Sequence, residues 1–151
     1  MPFPSIFIPE ETEKLVARIE SLSPQNQPLW GKMTVAQMMA HCAIPYEMDP
    51  QNPPKIGFFL KWMMRNFFKN SMLSEKPYQH HIQTAPLFRM LAEKDFIKEK
   101  TRLIALVRAS HALGEGFYQG LPHYALGRLS SNEWNTLLYK HLDHHLRQFG
   151  A

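Results

Sequence analysis

Eight histidines lie among 151 residues, and the spacing of some of them could do chemistry. The stretch Trp134-Asn135-Thr136-Leu137-Leu138-Tyr139-Lys140-His141-Leu142-Asp143-His144-His145-Leu146-Arg147-Gln148-Phe149 has helical periodicity. At about 100° per residue, Trp134, Leu137, Leu138, Leu142 and Phe149 make one apolar face. His141 and His145 fall near its centre, His144 at its rim, and Asp143 and Arg147 on the outer side. Two imidazoles one turn apart on a buried face can converge on one metal ion. Without a further partner they would be a costly buried patch of donors and acceptors. His41 is the candidate third ligand, because it lies three residues after Met38 on the apolar side of its own helix. Its neighbour Cys42 reads as a small core residue rather than a ligand or nucleophile.

Three neutral imidazoles leave a divalent ion with open positions, the pattern of a catalytic site. Such an ion can acidify a water for hydrolysis or a thiol for transfer. Histidine ligands suit Zn, Ni or Fe without choosing among them. His123 lies in an unperiodic loop before the last helix and is the candidate catalytic acid–base residue lining the pocket. His80 and His81, beside Pro77, are expected in solvent. His111 suits the end of its helix, where a partial positive charge is favourable. His144 either supports a ligand from behind or lies in a subunit contact.

The elements that must position these groups are punctuated by twelve prolines. A first helix is expected over 10–23, with Leu15, Val16, Ile19 and Leu22 as its stripe. Thr34-Val35-Ala36-Gln37 is a capping box that starts the second helix, with Met33 and Met38 at the staple positions. Pro45 should kink or loosen that helix. A third helix over 56–73 is apolar over most of its girth, with Lys61, Arg65 and Lys69 as a narrow basic stripe. That geometry predicts burial on several sides or a dimer interface rather than a membrane surface. A loop over 74–88 precedes a fourth helix over 95–113, ended by Gly114 and Gly116. The stretch 115–129 is expected to be a long loop. Ser130-Ser131-Asn132-Glu133 is a second capping box, with Leu129 and Trp134 as staple, and starts a helix that runs to about 148. No strand-like alternation is present, so the fold class is all-α.

The segment Trp30-Gly31-Lys32-Met33-Thr34-Val35-Ala36-Gln37-Met38-Met39-Ala40-His41-Cys42 resembles the first motif of DinB/YfiT-like proteins. Leu129 to Trp134, followed by His141 to Phe149, resembles their last helix. The chain is most similar to an uncharacterised branch in which a His-Pro-x-x-Gly-like segment precedes that helix, here His123-Tyr124-Ala125-Leu126-Gly127. Tyr124 departs from the usual Pro, and Pro45 with the Pro-rich stretch to Pro54 departs at the pocket mouth. The resemblance covers the chain from about Trp30 onward. It implies a four-helix bundle with long connecting loops and a divalent metal on three His, by position His41, His141 and His145. It also implies kinship with thiol-dependent transferases and isomerases that activate a low-molecular-weight thiol.

Length and a 44% hydrophobic content suit one domain over 1–151. A net charge of +4 is mild and is not expected to mark a nucleic-acid partner. One Cys excludes an internal disulfide. Met1-Pro2-Phe3-Pro4 does not read as a signal peptide, and no apolar run is long enough to span a membrane, so a cytoplasmic location is expected. Two function classes follow. One is a metal-dependent enzyme, a thiol S-transferase or a small-molecule hydrolase. The other is a non-catalytic metal- or ligand-binding bundle. A weaker third is an interaction protein that dimerises through its third helix.

Overall fold

Both capping boxes form, and they begin the two helices that carry the candidate ligands. The computed structural model describes residues 3–49, 52–80 and 89–151. Helix α1 is Pro9–Glu20, with proline in the first turn, where a missing N–H costs nothing. Helix α2 is Val35–Glu47. The Thr34 hydroxyl accepts from the Gln37 N–H at 3.2 Å and the Gln37 side chain accepts from the Thr34 N–H at 2.9 Å. The helix continues through Pro45 to Glu47. Helix α6 is Ser131–Gln148, capped in the same way by Ser130 and Glu133.

The third expected helix is broken into parts. Helix α3 is Phe58–Met63, a π-helical turn covers Met64–Phe68, and helix α4 is Lys69–Leu73. None of their residues is fully buried, which corrects the expectation of burial. Ile56, Met64, Met72 and Leu73 turn inward against the core. Phe58, Phe59, Trp62, Phe67 and Phe68 stay exposed. Aromatic abundance predicts burial, but the inward places are filled by methionine and aliphatic side chains. The end of α4 is fixed by Lys140, only 2% exposed, whose ammonium donates to the carbonyls of Ser71 at 2.8 Å and Ser74 at 2.9 Å.

Helix α5 is Phe96–Tyr118, started by the Asp95 carboxylate on the Lys98 N–H at 2.7 Å. Gly114, at φ 72°, ψ 172°, interrupts it where the sequence suggests an end, but helical turns resume beyond it. His111 lies three residues before this break, in the last turn of the first of the two helical stretches that meet at Gly114. A short antiparallel hairpin follows in place of the long loop. Strand β1 is Pro122–His123 and β2 is Gly127–Arg128, with His123 opposite Gly127. Two-residue strands are too short to show alternation, so the sequence carried no sign of them.

The molecule is mostly helical, consistent with the all-α reading. α2 packs on α5, α1 on α5, and α6 against α1, α2 and α5. Their inward residues, among them Leu15, Ile19, Met38, Met39, Leu103, Val107, Leu138, Leu142 and Leu146, form the core. Among the described residues no helix is long and apolar enough to cross a membrane.

Candidate metal centre

His41 sits mid-helix on the buried side of α2, and His141 and His145 sit one turn apart on α6. The packing of α2 on α6 brings the three together across a hundred residues of chain. Their ring centroids lie 4.8, 4.8 and 4.9 Å apart, in edge-to-face array. His41 Nε2 and His141 Nε2 are 2.9 Å apart. One potential ligand nitrogen from each residue lies within 4.8 Å of the others. The residues proposed from spacing are thus the residues that converge.

Burial holds His141 well below its usual pKa, helped by the neighbouring His145 and His41 rings. Burial likewise pushes His145 down to about 3, partly opposed by its hydrogen bond to Gln148. Neutral imidazole is the form that binds a metal. His141 Nδ1 is buried with no hydrogen-bond partner among the described residues. A converging, neutral, nitrogen-only donor set with a polar atom left unsatisfied fits a divalent ion better than it fits an apolar core.

One supporting residue escaped the sequence reading. Gln148 Nε2 donates to the Trp30 carbonyl at 2.6 Å, which turns its Oε1 toward His145 Nδ1, 2.8 Å away. A carbonyl only accepts, so the amide orientation is determined, and His145 must carry its proton on Nδ1. Nε2 is then the nitrogen left for a metal. Gly31, at φ +83°, allows this arrangement: a Cβ there would lie 2.6 Å from Gln148 Nε2. The signal was the i, i+3 spacing of His145 and Gln148 on one helix face.

Two of the three histidines, His41 and His141, border a cavity of about 110 Å3. His41 and His141 line one part of it, with Ile44, Pro45, Met48, Met72, Leu137, Tyr78, Tyr124 and His123 around them. His123 therefore shares the cavity, as expected for a pocket residue. Its Nδ1 accepts from the Ala125 and Leu126 N–H groups, each at 3.2 Å. Burial lowers its pKa to about 4. The neutral ring thus carries its proton on Nε2.

The remaining expectations divide. Cys42 is a core residue, its thiol pushed up by burial and set 3.6 Å from Met38 Sδ. His80 is exposed but stacks on Trp30 at 3.8 Å, and His81 lies outside the described residues. His144 packs between the Tyr78 ring at 5.7 Å and His145 at 5.1 Å. Asp143, expected outward, is buried between Arg18 at 2.8 Å and Arg147 at 2.9 Å. Helix α1 covers that side of α6, which no periodicity within α6 could show.

The family described as protein of unknown function (DUF1569) matches residues 8–151. No curated protein and no solved structure matches the chain.

Proposed function

The chain belongs to the DUF1569 family, and from its site we propose a metal-dependent enzyme that acts on a small molecule by thiol transfer or hydrolysis. The observation that carries this reading is the convergence of His41, His141 and His145 beside a cavity that His123 also lines. We take α1, α2, α5 and α6 to be a four-helix bundle of DinB/YfiT type, on the resemblance of the His41 motif and the terminal motif alone.

Zn, Ni or Fe would be held by His41, His141 and His145, and when bound supplies a Lewis acid able to acidify a water or a thiol. The protein's own groups do the rest. Ile44, Met48, Met72 and Leu137 exclude water and suit an apolar substrate portion. His123 offers an Nε2 proton as a hydrogen-bond donor to an oxygen or sulfur in the cavity. Gln148 holds the His145 ring in one tautomer.

A non-catalytic binding bundle is the second reading. It is favoured by the two backbone N–H bonds to His123 Nδ1, which leave that ring no free basic nitrogen for proton relay near neutral pH. Cobalt-loaded protein separates the two. Under the enzymatic reading, 2-mercaptoethanol alters its visible spectrum, or the metal-loaded protein cleaves members of an ester and amide panel that the His141→Ala variant does not. A spectrum indifferent to the thiol, together with no turnover of the panel, leaves the binding reading.

A further inference from the structure

One stretch of this chain is basic and free of acidic residues. Residues 50–74 contain Lys55, Lys61, Arg65 and Lys69 and no Asp or Glu. The whole chain has 17 Lys and Arg against 13 Asp and Glu. Removing those four cations leaves 13 against 13, so this one segment carries the entire net charge of +4.

The same segment carries the largest exposed aromatics. Phe58 is 85% exposed, Phe59 71% and Phe67 65%, with Trp62 and Phe68 beside them. Phe59 and Trp62 stack at 6.1 Å, and Trp62 meets Phe67 edge-on at 5.6 Å. Lys69 approaches Glu133 at 3.9 Å, whereas among the described residues no carboxylate pairs with Lys55, Lys61 or Arg65. Phe58, Lys61, Trp62, Arg65 and Asn66 also wall a cleft that reaches Gly127 of the hairpin.

We propose that α3 and the π-helical turn dock this protein onto an anionic lipid surface, with the Phe58, Phe59, Trp62 and Phe67 rings entering the interface and Lys61 and Arg65 meeting lipid phosphates. Aromatic rings beside cations are the composition of interfacial helices, and neither feature suffices alone. A second copy of the chain fits the patch poorly. A two-fold contact places the same cations against themselves, and the rest of the surface has no net negative charge to offer. The wide apolar sector is divided between two sides: Ile56, Met64, Met72 and Leu73 occupy the inner side and leave the aromatics outside.

The test is co-sedimentation of the full chain with vesicles of phosphatidylglycerol and phosphatidylcholine, and with phosphatidylcholine alone. Binding is expected to the anionic vesicles only and should fall steeply between low salt and about 0.5 M salt. Charge removal in Lys61→Gln/Arg65→Gln should weaken it roughly thirtyfold. Phe58→Ser/Phe59→Ser should weaken it at unchanged charge. All four residues are exposed, so circular dichroism should show both variants folded. In a Trp62-reporting form, with Trp30 and Trp134 replaced by Phe, brominated lipid should quench the remaining fluorescence; should that form not fold, wild-type quenching compared with Trp62→Phe gives the same readout. No binding to anionic vesicles, equal binding to neutral ones, or binding unchanged in both double variants overturns the proposal. So does a concentration-dependent dimer by light scattering that Phe58→Ser/Phe59→Ser abolishes, since the face would then join two copies.

Discussion

Gln148 decides which nitrogen of His145 is available, so its replacement tests the metal centre without touching a ligand. Gln148→Leu keeps the size but removes both hydrogen bonds, and should lower metal affinity by about 10–100-fold, as measured by competition with a chromophoric chelator. Gly31→Ala should act in the same direction, because its methyl would displace the amide. His123 gives a separate prediction in pH. Unfolded, a histidine takes up its proton near 6.5; folded, His123 does so near 4. Between these values the unfolded state binds more protons, so stability is full above pH 6.5 and is lost as pH falls toward 4. The loss is on the order of 3 kcal/mol for this one group. Urea unfolding of His123→Asn should therefore vary less with pH across that window than wild type. An equal slope would mean that His123 protonates normally in the folded protein.

Lys140 couples two elements, since its ammonium from α6 holds the last carbonyls of α4 and lies 4.3 Å from the Tyr78 ring centroid. Lys140→Met should cost about 1–3 kcal/mol. Amide exchange over 69–74 should accelerate while metal binding is kept. Exchange unchanged in that segment would show that α4 is held by its apolar side alone. At this scale the sequence was most legible where a local rule is self-contained. Thr34 with Gln37, and Ser130 with Glu133, announce helix starts because both halves of each cap lie within four residues. His41, His141 and His145 were legible because helical spacing places them on faces that also carry Met38 or Leu142. Burial of α3 was misread because an aromatic-rich segment looks the same whether it packs inward or stands out. The partners of Asp143 and of Gln148 were hidden because Arg18 and Trp30 arrive from distant chain.

The whole molecule should register the metal as a stabilising ligand. An ion that binds only the folded state at a hundred times its dissociation constant adds about 2.7 kcal/mol to the unfolding free energy. Differential scanning calorimetry with and without zinc should show that gain as a higher transition temperature. The gain should vanish in His41→Ala, His141→Ala and His145→Ala, and persist in His80→Ala. A rise of equal size in His141→Ala would place the ion elsewhere. Metal content by elemental analysis should follow the same pattern, close to one ion per chain in wild type.

His41 and His141 stand a hundred positions apart in the chain, yet their Nε2 atoms are 2.9 Å apart. An ion gripping both would close a loop holding two-thirds of the polypeptide. Pulled from its two ends in an optical trap, the loaded protein should yield first outside that loop. The enclosed length, about 330–360 Å when extended, should stay shielded until the imidazoles let go. Chelator added during pulling would merge the two extensions into one, so the centre would be read as a mechanical clasp whose strength is set by ligand exchange.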